Sequence, residues 1–211
     1  MKNKTVTRAY NFEIRAENNE KNGDHIVGRP IVYDSKTDLG YFDEIIEAGA
    51  LDKANLKDVR FLVNHNTDMI PLARSRNNNE NSTMQLEVDK DGMTIRVNLD
   101  TENNTEARNL YSAIKRGDIT GMSFMFTIDK EEWDELESEH PTRRIKAIGQ
   151  VFEVSAVTFP AYESTEISAR NKEALDSAKN LLESKRRESL ESDEAALELE
   201  KAKNCNKNFF N

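Results

Sequence analysis

Ser123 stands in Arg116-Gly117-Asp118-Ile119-Thr120-Gly121-Met122-Ser123-Phe124, where a helix-like segment gives way, across two glycines, to an apolar strand. A hydroxyl held just past a tight turn, at the mouth of a strand, is rigid and can still be reached, which suits a nucleophile. Such a serine needs a base, and the chain has three histidines. His65 is the best placed, because it ends the apolar run Val59-Arg60-Phe61-Leu62-Val63 where a loop opens. His140 lies in a charged loop and reads as solvated, and His25 follows a turn and reads as exposed. Glu153 is the third unusual residue, interrupting Val151-Phe152-Glu153-Val154 inside a run that otherwise looks buried. A carboxylate there costs several kcal/mol unless it is paired. One that accepts a hydrogen bond from an imidazole N–H holds the ring in the tautomer that takes a serine proton.

Each residue also has a plainer reading. Gly-X-Ser turns are common, and the G-x-S-x-G nucleophile elbow is not matched. A strand-end histidine is more often structural than catalytic, and strand alternation alone puts Glu153 and Ser155 on a solvent face. Other chemistries find less support. There is no H-x-x-x-H, no H-E-x-x-H and no cysteine pair for a metal, no Lys-Ser/Thr after Gly117 to Gly121 for a phosphate loop, and no EF-hand spacing, so neither metal nor cofactor is expected.

The elements that must position these residues are mostly strands. Thr5 to Ile14 is a first strand candidate that includes Phe12. Asn18 to Asp24 is a turn cluster, and His25 to Tyr33 is a second strand, bulged or at an edge because of Gly28 and Pro30. Asp34 to Gly40 reads as loop, Tyr41 to Ile46 as a short extended piece, and Met69 to Arg76 as a segment crossing a proline. Met84–Val88 and Met93–Leu99 alternate cleanly around Asp89-Lys90-Asp91-Gly92, a hairpin signal. Asn103 to Lys115 carries helical spacing through Ala107, Leu110, Tyr111 and Ile114, with Gly117 as terminator. Alternation in the Ser123 strand sets Met122, Phe124 and Phe126 on one face and Ser123 with Met125 on the other. Asp129 to Arg144 reads as a surface loop or hairpin excursion, and Ile145 to Phe159 as the longest β-rich run, ended by Pro160-Ala161-Tyr162. A body over 1–170 of this kind predicts a mainly β fold with α, a Greek-key-like barrel with helices outside.

From Asn171 the composition turns to Ala, Glu, Leu, Lys and Ser. Residues 171–211 read as a charged extension, helical or disordered, with one helix capped by Asn171 and a second by Ser192. The net charge of -9 argues against nucleic acid as the main partner. No run is long enough to span a membrane, no signal-peptide h-region follows Met1, and the single cysteine, Cys205, excludes an intrachain disulfide. A soluble protein in a reducing cytoplasm is expected.

Six blocks, taken in order, resemble the tailed-phage prohead (head maturation) protease family. They are Gly28-Arg29-Pro30-Ile31-Val32-Tyr33, the run Phe42 to Leu51, Asn64-His65-Asn66, Pro71-Leu72-Ala73-Arg74, Arg116 to Phe124, and the run Phe152 to Tyr162. The resemblance implies a β-barrel with surrounding helices, similar to the herpesvirus assembly proteases. It implies serine endopeptidase activity on scaffold and capsid-protein segments, and on the enzyme itself, inside a procapsid in the host cytoplasm, with self-association left open. It places the base on His65, the nucleophile on Ser123 and the orienting acid on Glu153. Backbone amides or an arginine (Arg74, Arg143 or Arg144) are candidates for stabilising the oxyanion or holding substrate. The chain departs from the family pattern at Ala73, where glycine is expected before Arg74, and at Met125, where glycine often follows the Ser-Phe pair. The rival reading is a non-catalytic assembly protein on the same fold.

Overall fold

The computed structural model describes residues 5–10, 14–19, 23–159 and 165–207. Eleven strands and two helices follow one another there. The strands are β1 Thr5–Tyr10, β2 Ile14–Asn19, β3 Gly23–Val32, β4 Lys36–Asp38, β5 Asp43–Ile46, β6 Asp58–Val63, β7 Ala73–Arg76, β8 Met84–Asp89, β9 Gly92–Asn98, β10 Gly121–Asp134 and β11 Thr142–Val157. Helix α1 spans Thr105–Arg116 and α2 spans Thr165–Lys207. The fold is mainly β with two helices, in the expected class.

The strands form a seven-stranded and a four-stranded sheet, and neither closes on itself. The expected barrel is thus realised as two sheets around one core. The reason lies in β11, the longest strand. It pairs antiparallel with β10 along one edge, and its other edge is divided between two short parallel partners. β5 takes Thr142 to Ile145 and β6 takes Glu153 to Ala156. β1 extends the sheet beyond β10, β4 beyond β5, and β7 beyond β6. The second sheet runs β2-β3-β9-β8. Side chains from both sheets and α1 meet in a single apolar cluster that includes Ile26, Ile95, Val97, Leu110, Phe61, Phe124, Phe126 and Val154.

Local signals place the elements well. Asn104 caps α1, its side chain accepting from the Glu106 and Ala107 amides, and Gly117 closes it at φ 79. Ala107, Leu110 and Ile114 face the core. The β8–β9 hairpin has the expected register, Val88 opposite Met93 and Asp89 opposite Gly92. The bulge expected from Gly28 and Pro30 is the register shift between Gly28 and Ile31, and it lies in an inner strand.

Other expectations are corrected. The single strand expected over Thr5 to Ile14 is two strands in different sheets, β1 and β2; Phe12 lies outside the described residues, as do 20–22 of the turn cluster and Pro160-Ala161-Tyr162. β4 and β7 were hidden because each is three or four residues long and holds its place by pairing with a neighbour. The charged segment around 129–144 is the far end of the β10–β11 ribbon. His25 is buried, with Nδ1 on the Gly23 carbonyl and Nε2 on Glu17.

Instead of two capped helices, α2 is one helix of 43 residues running through Asn171 and Ser192. It contains no Gly or Pro, and residues with good helix propensity carry it through the charged Lys185-Arg186-Arg187. Its early turns pack on the body. Leu175 joins Leu39 and Phe42, with Trp133 and Leu136 against them, and Arg186 pairs with Glu137. No helix among the described residues is long and apolar enough to cross a membrane.

Candidate active site

Three adjacent strands, β10, β11 and β6, carry the residues singled out for chemistry. On β10 and β11, Ser123 lies directly opposite Ser155, and Met125 opposite Glu153. Cross-strand partners project to the same face, about 5 Å apart at Cα. Ser123, Ser155 and Glu153 therefore share one face. Met122, Phe124, Val154 and Ala156 occupy the other, deep in the core. The first face is buried too: Ser123 and Ser155 have no exposed surface and Glu153 keeps 2 %. The solvent-facing alternative for Glu153 and Ser155 is thereby overturned, and the turn after β6 brings His65 onto both of them.

That turn brings in the histidine. β6 pairs with β11 up to Val63, and the chain then reverses through Asn64 and His65, both in the left-handed region at φ 51 and 57. A non-glycine residue there is held against a backbone cost, and hydrogen bonds on both sides account for it. The Asn64 amide donates to the Ala156 carbonyl at 3.0 Å. Its side chain clasps Thr158, donating to Oγ1 at 3.0 Å and accepting from the Thr158 amide at 2.9 Å. The His65 amide donates to Ser155 Oγ at 3.1 Å.

The reversal swings the His65 ring onto Glu153, with Nδ1 2.6 Å from Oε1. The second carboxylate oxygen, Oε2, accepts the Ser155 hydroxyl at 2.6 Å. A hydrogen bond from Nδ1 to this carboxylate requires the Nδ1–H tautomer, which leaves the lone pair on Nε2. The imidazole is partly open, with 22 % of the side chain exposed. Its turn borders a groove of about 470 Å³, walled by Val63, Asn64, Asn66, Met69, the α1 face around Leu110, and Ile119.

Ser123 is one strand further on. Its hydroxyl donates to the Arg8 carbonyl of β1 at 2.7 Å, so in this state it is bonded to main chain on the side away from β11. Arg8 itself is buried and grips Glu44, Nε to Oε1 at 2.5 Å and Nη2 to Oε2 at 2.9 Å. Arg143 approaches the same carboxylate at 3.4 Å and also bonds Glu131. Burial works against the charged form of Glu44, but Arg8 and Arg143 outweigh it and hold the carboxyl below its ordinary range.

The structure thus joins His65 to Glu153 and sets Ser123 in the neighbouring strand, but it does not gather the candidate arginines there. Arg143 and Arg144 lie ten and nine residues before Glu153 on β11 and are held by acidic partners, Glu44 and Glu131 for Arg143, Asp134 and Glu47 for Arg144. Arg74 sits two strands from Glu153, in register with Arg60, and Asp58 holds its guanidinium at 2.6 and 2.8 Å. His140 leans on Asp43 and Asp38 at 3.2 and 3.6 Å. These three could reach one cation, but Lys36 already pairs with Asp43. Burial raises the Asp43 carboxyl, and Lys36 and His140 more than reverse it.

Sequence reasoning missed Ser155, Arg8 and Glu44 as parts of this region. The signal for Ser155 was present: two residues from Glu153 on one strand, it had to share its face. Nothing in the sequence pairs Arg8 with Glu44, because the contact joins two separate strands of one sheet.

Residues 10–180 match the family described as caudovirus prohead serine protease. Over 130 residues the chain is 31% identical to the "Prohead protease" of Enterobacteria phage HK97, covering 60% of this chain and 52% of that protein; the chain thus spans about half the length of this curated relative. A solved structure, the bacteriophage T4 capsid assembly protease gp21, aligns over 74% of this chain and 98% of its own, at 12% identity and a TM-score of 0.39.

Proposed function

The chain belongs to the caudovirus prohead serine protease family, and from that premise we propose that it is a serine endopeptidase acting through Ser123, His65 and Glu153. The observation that carries the proposal is the 2.6 Å contact between His65 Nδ1 and the buried Glu153 carboxylate, one strand from Ser123. An ionised carboxylate at Nδ1 leaves Nε2 as the base. In the reaction, the Ser123 hydroxyl turns from the Arg8 carbonyl to Nε2. Its oxygen attacks a peptide carbonyl as Nε2 takes the proton, and Glu153 stabilises the imidazolium. His65 then protonates the leaving amine, and water repeats the sequence to release the acyl group. Backbone amides near Ser123 are the oxyanion donors this reading favours, since Arg143 and Arg144 are engaged by Glu44, Glu131, Asp134 and Glu47. One well-placed donor contributes about 3 to 4 kcal/mol.

The substrates in this reading are scaffold and capsid-protein segments, and the chain itself, cleaved inside the assembling procapsid in the host cytoplasm. Residues 171–211 form an extension to the protease body that either joins the scaffold or is removed by self-cleavage. A second reading, a non-catalytic assembly protein on the same fold, draws support from the burial of Ser123 and its bond to Arg8. Co-expression with the capsid protein of the same phage separates the two. Intact-mass analysis should find capsid fragments with the native chain and none with Ser123→Ala. Identical products from both chains, or none from either under assembling conditions, would reject the protease.

A further inference from the structure

We propose that Ser155 is a positioning residue for the site, a fourth member that fixes both His65 and Glu153; the role rests on the protease reading above. Ser155 Oγ donates to Glu153 Oε2 at 2.6 Å and accepts from the His65 amide at 3.1 Å, while Glu153 Oε1 meets His65 Nδ1 at 2.6 Å. The three contacts close a loop. One hydroxyl sets the carboxylate's rotation and, through the amide, the left-handed backbone that aims the ring. Ser155 is fully buried, so water cannot replace it without opening the sheet. Without the hydroxyl, Glu153 Oε2 and the His65 amide lose their partners, and the ring is held by one contact instead of a closed set.

The test is ¹⁵N NMR on histidine-labelled protein, which has only three histidine residues to resolve. The native chain should show neutral His65 as the Nδ1–H tautomer. Ser155→Ala should show averaged tautomers, and Ser155→Thr, which keeps a hydroxyl, should restore the native pattern. With a fluorophosphonate probe, Ser155→Ala should lower the maximal labelling rate about ten-fold, the effect of losing about one hydrogen bond, with half-saturation unchanged. An unchanged His65 spectrum in Ser155→Ala would overturn the role. An altered spectrum in a chain that never labels at Ser123 would keep the positioning and reject the protease.

A separate observation supports a second inference: β1 is a removable strap over the nucleophile. Ser123 has no exposed surface and its hydroxyl is bonded to Arg8 of β1. β1 pairs with β10 from Met122 to Thr127, and its anchor is the buried Arg8–Glu44 pair. A peptide carbonyl reaches Ser123 only after this strand shifts. Thr7 and Met125 are cross-strand partners, so a Thr7→Cys/Met125→Cys pair in a Cys205→Ser background locks the strap when oxidised. Fluorophosphonate labelling of Ser123 should be at least about ten-fold slower oxidised than reduced, and Arg8→Ala, which loosens the anchor, should label faster than native. Equal rates in the oxidised and reduced chain would overturn the strap, whereas no labelling in any form would reject the protease reading instead.

Discussion

Replacing Arg8 with methionine should destabilise the body strongly through Glu44. The Glu44 side chain is fully buried. It receives two hydrogen bonds from Arg8, at 2.5 and 2.9 Å, and one longer contact from Arg143, at 3.4 Å. Breaking a buried pair by removing one partner costs about 3 to 5 kcal/mol, mainly because the remaining charge is left without compensation. Arg143 stays behind in Arg8→Met, so about 3 kcal/mol is expected, or roughly 6 to 12 °C in Tm for a domain of this size. The companion variant Glu44→Leu should be costly for the converse reason, and Arg8→Met/Glu44→Leu should recover part of the loss. Urea unfolding of the four proteins at neutral pH gives the coupling, expected at about 1 to 3 kcal/mol. The pH dependence has a definite sign. The Glu44 carboxyl is held below its usual range by Arg8 and Arg143 despite its burial. Its contribution is therefore complete above the unfolded carboxylate value of about 4.3 and is lost as pH falls through the lower folded value. The double variant should accordingly show a flatter acid limb than the native chain. A cost below about 1 kcal/mol for Arg8→Met, or single costs that simply add, would refute the reasoning.

Three further outcomes follow from the same structure. Glu153→Gln should lower the cleavage rate by a factor on the order of 10² to 10⁴ while the far-UV spectrum and Tm stay near native, since the amide keeps the shape but loses the charge that stabilises the imidazolium; near-native rates in a timed digest would remove Glu153 from the site. Gly92→Ala should cost at least about 1 to 3 kcal/mol in urea unfolding, because Gly92 has φ +137 and an added Cβ would lie 2.0 Å from the Ile31 carbonyl oxygen. Leu175→Ala should cost about 2 kcal/mol or more where α2 docks, since Leu175 is buried with Leu39 and Phe42; limited proteolysis should then cut α2 nearer its start than in the native chain.

Much of the frame was legible because its signals are local. The periodic Ala107, Leu110 and Ile114, closed by Gly117, mark α1 within eleven residues, and the turn at Asp89-Lys90-Asp91-Gly92 fixes the register of β8 and β9. The alternation around Ser123 gave the right faces, yet predicted nothing about burial, because alternation cannot tell a solvated face from one covered by another strand. Glu153 was visible as an anomaly and an imidazole as its fitting partner, but only the family resemblance singled out His65. The contact with His65 depends on a left-handed turn at Asn64 and His65 that follows from pairing between β6 and β11, ninety residues apart in sequence. The same limit hid Ser155 and the Arg8–Glu44 pair. It also let Arg143 and Arg144 stand as oxyanion candidates, since nothing local shows that Glu44, Glu131, Asp134 and Glu47 engage them. In α2, strong intrinsic propensity overrode the capping signals at Asn171 and Ser192.

Mapping the site of a fluorophosphonate adduct tests the central claim most directly. The native chain, Arg8→Ala and His65→Ala are incubated with the probe, digested, and sequenced by tandem mass spectrometry. The adduct should fall on Ser123 in the native chain, form faster in Arg8→Ala, and be absent or greatly slowed in His65→Ala. An adduct on a different serine, one that forms on Ser123 as fast without His65 as with it, or none in either the native or the Arg8→Ala chain, would contradict a nucleophile activated by His65 and Glu153.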